Sequence, residues 1–342
     1  MSSDAGPSRK RTRLEDSEED GNLSLPTSSI PKDDDVWLSD GSIVVVAADK
    51  VAFRVHKSLL SLRSEIFRDL FSLPNVDAAT AEVMDGCPVV RVSDSPEDIR
   101  RLFLVLCCGK NYYYNGGELV SVPLEVLASL VRMAHKYAIQ DVLADALFRL
   151  KKYYTSDLAA WQDPDSRARY VTATDDDAPA VVELARLTNT PSLLPAAFLV
   201  CAKLATRSWV HGDESMVSAI ASLPISDQLT LTTAKVFLTQ ACATRTLHLL
   251  AVVPCTGCTT RGTCKAIREA PLGTLRERGY ITVTNITDQD ALQPMAEQIW
   301  ANQWAKFCAR CQSALRETDE KFIKMLWSKL PRKLHLPLGG DS

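Results

Sequence analysis

No run of about 18 apolar residues occurs in this sequence, so it offers no segment of the length a membrane-spanning helix needs. It also lacks a surplus of either charge. The 39 Lys and Arg residues face 42 Asp and Glu, a formal net charge of −3, which argues against a general coat for nucleic acid or a membrane surface. Catalytic signatures are missing as well: there is no G-x-S-x-G elbow, no P-loop, no H-E-x-x-H and no glycine-rich dinucleotide turn. Histidine is scarce, and His56, His135, His211, His248 and His335 lie far apart. Gly116-Gly117 lacks the helix start that a phosphate cradle requires, and Asp94, Glu97 and Asp98 read as an acidic helix start. The expectation is a protein that is not an enzyme and requires no cofactor. The polar opening, Met1-Ser2-Ser3-Asp4, lacks the apolar segment of a signal peptide, so an intracellular protein of nucleus or cytoplasm is expected. Its ten cysteines then read as reduced thiols or metal ligands, not a disulfide framework.

What is present suits a globular chain: 342 residues, 46% apolar and 24% charged, enough for two folded domains with tails. The expected division is a tail over 1–34, a first domain over 35–155, a helical domain over 156–335 and a short tail over 336–342. The first tail holds Arg9-Lys10-Arg11-Thr12-Arg13, beside an acidic block at 15–20. Arg9, Lys10, Arg11 and Arg13 form a candidate nuclear-import cluster, with a solubilising tail as the plainer reading. The acidic neighbours cancel the field that a DNA-binding arm would need.

Structure is expected to begin at Val36-Trp37-Leu38. The β-branched run at 43–46 and the alternation of Val51, Phe53 and Val55 make a hairpin. One helix is expected from about 57 to Pro74, with Leu60, Ser64, Phe67 and Phe71 on one face. A third strand follows at 89–92, then a helix started by Ser95 as cap and Pro96 at the first position. The Tyr112–Gly117 stretch reads as a loop, and helices follow at about 123–137 and 141–154. This order implies an α+β fold, a small sheet packed by helices. Beyond 155 the pattern is mostly helical, at 178–187, 191–208, 213–223 and 227–250. An isolated strand is expected at 281–286, and one long helix over about 290–328 carrying Trp300, Trp304, Phe307, Phe322 and Trp327.

The first domain resembles the BTB/POZ domain. The resemblance rests on Asp35-Val36-Trp37-Leu38-Ser39-Asp40-Gly41, then on Phe53-x-x-His56-Lys57-x-x-Leu60-x-x-x-Ser64-x-x-Phe67. It continues through Val90-x-Val92, the helix at Ser95 and Ala134-His135-Lys136-Tyr137. The remainder is similar to the helical extension of fungal BTB proteins, in Leu187-Thr188-Asn189-Thr190-Pro191-Ser192-Leu193-Leu194-Pro195-Ala196. From the residues alone, Phe53 and Phe67 are core, Ser64 is a small residue at a close approach, His56 makes local hydrogen bonds and Lys57 is a surface charge. The resemblance implies a protein-binding module that forms a homodimer through its first helix and strand region. Val36, Trp37, Leu38, Ile66 and Leu70 are the candidate contacts. It further implies a substrate adaptor of a cullin-type ubiquitin ligase or, alternatively, a nuclear transcription or chromatin regulator or a scaffold. Neither direct nucleic-acid contact nor a membrane is expected.

Cys107, Cys108, Cys201 and Cys242 lie in apolar helical stretches and read as small buried hydrophobes. Cys255-x-x-Cys258-x5-Cys264 and Cys308-x-x-Cys311 differ. Two C-x-x-C pairs can close a tetrahedral thiolate site, for which zinc is the soft-ligand choice. The pairs lie much farther apart than the roughly 15–20 residues of compact zinc modules, and five thiols compete for four places. Structural zinc, reduced packing thiols and a redox sensor therefore all stand as readings of four of these five. The aromatic run at 300–327 is core, or a partner groove.

Overall fold

The computed structural model describes residues 29–72, 82–211, 214–251, 255–278 and 291–336. The basic cluster at Arg9, Lys10, Arg11 and Arg13 and the strand expected at 281–286 lie outside these residues.

A five-stranded sheet organises the N-terminal part. It contains β1 (Lys32–Trp37), β2 (Ile43–Ala47), β3 (Val51–Val55), β4 (Val83–Met84) and β5 (Cys87–Val92), in the spatial order β1-β3-β2-β5-β4. Strands β2 and β3 are an antiparallel hairpin, whereas β1–β3 and β2–β5 are parallel. All five residues of β2 are buried because the strand is central and both its faces are covered. Ile43, Val45 and Ala47 face the main core, while Val44 and Val46 join Ile30, Ala52, Met84 and Cys87 in a second, smaller cluster. Residues upstream of 35 already belong to this core. Ile30 is buried, and the buried Asp33 carboxylate accepts from the amides of Asp35 and Val36 and from Arg100 Nε at 2.7 Å.

The helix expected from 57 to 74 is two helices, α1 (Lys57–Arg63) and α2 (Glu65–Leu70). Ser64 takes extended backbone, φ −142°, and breaks the helix. Its hydroxyl accepts from the Phe67 amide at 3.1 Å and donates to the Tyr137 carbonyl at 2.6 Å. A hydroxyl able to cap explains the break, which apolar periodicity does not register. Helix α3 (Pro96–Cys108) starts as expected, with Ser95 accepting from the Asp98 amide, and ends at Gly109 in left-handed backbone. The stretch expected as a loop contains a short hairpin, β6 (Tyr114–Asn115) and β7 (Glu118–Leu119). Strand β8 (Val122–Pro123) leads into α4 (Leu124–Lys136), followed by α5 (Gln140–Tyr153).

The remainder is mostly helical. Short helices α6 (Leu158–Trp161) and α7 (Pro164–Ala168) precede β9 (Val171–Thr172), a strand the sequence did not announce, which pairs in parallel with β8. Then come α8 (Ala178–Leu187), α9 (Leu194–His211), α10 (Glu214–Ala221), α11 (Ile225–Ala251) and α12 (Arg261–Arg278). The long helix expected at 290–328 is shorter and later. Residues 291–308 form turns, the four-residue α13 (Ala296–Ile299) and a 3-10 turn at Trp304–Lys306, and only then does α14 (Ala309–Lys333) begin. The reason is a buried ion pair. Arg245 on α11 donates to Asp319 on α14 at 2.5 Å and to the carbonyls of Ala291 and Gln293, while Asp319 accepts from the amides of Met295 and Ala296. These bonds satisfy backbone groups that a helix would otherwise pair, so 291–296 has no need to be helical. The architecture is α+β: a small sheet with helices, then a helical region. One apolar cluster runs through both, from Val36 to Leu336.

Candidate functional site

The residues carrying the family signature build the sheet–helix junction. Phe67 stacks on Tyr137 with ring centroids 4.1 Å apart and contacts Phe71 and Phe103, and Phe103 meets Phe53 edge-on. Tyr137 donates to Asp94 at 2.5 Å, and Asp94 also takes Lys136 at 2.6 Å. Burial pushes the Tyr137 hydroxyl above its usual range, with the Asp94 bond adding to the effect. Leu60, on the inward face of α1, is fully buried. His56 stands at the turn from β3 into α1, with Nε2 3.4 Å from Asp40. Lys57 is exposed but does more than solvate: its Nζ donates to the Phe71 carbonyl at 3.0 Å, closing the end of α2. Asp35 is exposed, and the structural carboxylate of this segment is Asp33 two residues earlier.

The candidate contact residues separate. Ile66 is 45% exposed, whereas Val36 is fully buried in the core and has no free face to offer a partner. Trp37 and Leu38 are half-buried, Trp37 covering the second cluster with Lys32 over its ring, and Leu70 is half-buried against the core. Sequence periodicity missed two neighbours of Ile66: Leu62, 81% exposed, and Leu59, 37% exposed. They lie off the stripe of Leu60, Ser64, Phe67 and Phe71 that faces the core, so reading the inward face alone passed over them. Leu59, Leu62 and Ile66 therefore line the solvent side of α1 and α2.

A second exposed feature is the β6–β7 hairpin, where Tyr114, Leu119 and Val120 reach solvent. Arg149 on α5, itself buried, anchors it by donating to the carbonyls of Tyr113, Val120 and Tyr170, with its guanidinium 4.4 Å from the Tyr113 ring. Burial pushes the Tyr113 hydroxyl up to about 12.

The third feature is a thiol cluster. The sulfurs of Cys258, Cys264, Cys308 and Cys311 all lie within 4.8 Å of one another. Cys255 stands beside them, its Sγ 3.4 Å from that of Cys311. Cys255 and Cys258 flank a tight turn, Cys258 N to Cys255 O at 3.1 Å, with Gly257 at φ +86°. Cys264 is in the first turn of α12, Cys308 is the residue before α14, and Cys311 lies in the first turn of α14. The Cys311 amide, joined by that of Thr259, draws the Cys308 thiol down to about 5. Cys201 and Cys242 are buried as expected of packing residues, Cys107 is half-buried, and Cys108 is exposed at the end of α3, against expectation. Trp300 and Phe307 are buried core residues, Trp304 lies against Phe307, and Trp161 and Trp327 pair with centroids 5.7 Å apart.

Residues 38–152 match the family of the BTB/POZ domain, so the sheet and the helices through α5 constitute such a domain. No curated protein matches the chain. Among the described residues, no helix is long and apolar enough to cross a membrane.

Proposed function

We propose that the BTB/POZ domain of this chain, a member of a protein-interaction family, joins two copies through the outer face of α1 and α2. The pair then recruits other proteins and performs no catalysis. One observation carries this reading: Leu62, Ile66 and Leu59 are exposed together on two consecutive short helices. Neighbouring aliphatic side chains left in water are the usual mark of a face that another protein covers. A twofold interface uses each residue twice, so Leu62→Asp removes two apolar anchors and adds two charges. At about 25 cal/mol per Å² the expected loss is roughly 3 kcal/mol, on the order of a hundredfold in dimer dissociation constant. Sedimentation equilibrium on the full chain reads it directly. A wild-type chain that stays monomeric at all concentrations would sink the proposal. Because Leu62 is exposed, the variant keeps its fold.

For the recruited partner we favour a cullin-type ubiquitin ligase scaffold, with this chain as substrate adaptor. Such a scaffold would meet the end of α3 and the β6–β7 hairpin, where Tyr114, Leu119 and Val120 offer apolar contact held rigid by Arg149. The second reading, a nuclear transcription or chromatin regulator, draws on Arg9, Lys10, Arg11 and Arg13. Titration of the chain with a purified cullin N-terminal domain separates the two: saturable binding supports the adaptor, and none leaves the nuclear reading.

A further inference from the structure

We infer that Cys258, Cys264, Cys308 and Cys311 hold one zinc ion as four thiolates, in a closed structural site whose charge is answered by Arg268. Three independent observations converge on it. The first is spacing. Four thiolates around one zinc at about 2.3 Å stand roughly 3.8 Å from each other. The four sulfurs already lie within 4.8 Å of one another, and Cys258 and Cys308 are 3.7 Å apart. A multi-iron cluster binds each thiolate to a different iron and spreads its ligands wider.

The second is the set of donors aimed at sulfur. The Cys308 amide donates to Cys264 Sγ at 3.3 Å, and the Thr260 hydroxyl lies 3.2 Å from the same atom. Cys264 Sγ thus has a backbone amide and a hydroxyl directed at it. A neutral thiol is a weak acceptor that gains little from such a shell, whereas a metal-bound thiolate is a strong one.

The third is Arg268. It is only 4% exposed, and its Nε, Nη1 and Nη2 have no hydrogen-bond partner. Its charge acts on Cys311, Cys264, Cys255 and Cys258. A buried guanidinium with no hydrogen-bond partner, beside thiols most of which are protonated, is an under-compensated charge. Loading the site forms four Zn–S bonds, releases to solvent whatever protons the four sulfurs still carry, and leaves the metal and its ligands with a net charge of −2. The guanidinium then faces a counter-charge. Cys255, whose sulfur approaches that of Cys311 but is outside the mutually close four, is not a ligand. With four thiolates the ion has no open position, so it fastens the Cys255–Cys258 turn and the head of α12 to the head of α14.

The test is metal analysis of the full chain purified from zinc-supplied cells, followed by exchange of the metal for cobalt. One zinc per chain is expected, together with the visible absorption of tetrahedral cobalt bound by four thiolates. Cys255→Ser should keep full stoichiometry. Cys264→Ser and Cys308→Ser should lose it, and Arg268→Gln should weaken zinc about 10- to 100-fold in a chelator competition. If the ligand variants fail to fold, the wild type still decides. Stripping zinc with a chelator should expose at least four more thiols to a thiol reagent, and zinc addition should protect them again. Metal-free protein that takes up neither zinc nor cobalt overturns the inference, as does a red one-iron protein. Retention of zinc in Cys264→Ser with its loss in Cys255→Ser overturns the ligand set.

Discussion

Five charged side chains decide more of this structure than their number suggests, because all are buried. Asp33 holds the start of β1 against Arg100, Arg149 holds the β6–β7 hairpin, Arg245 meets Asp319, and Arg268 faces the thiols. Charged residues at buried positions are tolerated only with partners, and for four of the five the partners include backbone groups. Asp319 shows the consequence most clearly. Its two oxygens serve Arg245, Met295 and Ala296 at once. Asp319→Ala strands a buried guanidinium and two amides, and the expected cost is about 3–5 kcal/mol. Urea denaturation measures it. A midpoint within error of wild type would mean that the ion pair is not what holds 291–296. The double variant Asp319→Leu/Arg245→Met should recover part of the loss, because it removes the stranded charge.

Among the elements, legibility followed periodicity. The β2–β3 hairpin, the capped start of α3, and helices α4, α5 and α8 could all be read from apolar spacing and cap residues. What escaped was set by single polar atoms or by distant pairing. Ser64 divides α1 from α2 with one hydroxyl, Asp319 keeps 291–296 out of α14, and β9 exists only because β8 lies beside it. The thiol cluster was half legible. Two C-x-x-C pairs named the residues, but only the fold could place Cys264 among the four, and nothing in the sequence pointed to Arg268. The turn between β2 and β3 was read as a turn without its strain being visible. Ala48 and Asp49 have φ of +46° and +56°, in the left-handed region that alanine avoids. Ala48→Gly relieves that strain at the cost of a freer unfolded chain, and the expected gain is about 0.5–1 kcal/mol. A rise of a few degrees in Tm is the outcome to look for. A fall would show that the turn relaxes in solution.

Across the whole molecule, the question is whether the BTB/POZ domain stands by itself. Helix α4 is buried nearly all round, with Leu124, Val126, Leu127, Ala128, Leu130, Val131, Met133 and Ala134 all covered. A helix apolar on every side needs neighbours on every side. Helices α3 and α5 cover part of it, and α8, from beyond the matched domain, also packs against it. Strand β9 pairs with β8 at its foot, Arg149 takes the Tyr170 carbonyl, and Trp327 near the far end of the chain donates to the Ser156 carbonyl at 2.8 Å. The sheet and the helical region thus share one core. A chain cut after residue 155 would lose β9 and α8 together and uncover one flank of α4. That fragment should melt well below the full chain, bind an apolar dye and associate without defined stoichiometry. The full chain should unfold in one calorimetric transition. A fragment that is monodisperse and melts at the temperature of the intact protein would show that the contacts with α8 and β9 join two independent units. The helical region would then be free to move relative to the face of α1 and α2, instead of fixing the distance between a dimer contact and whatever the far end of the chain binds.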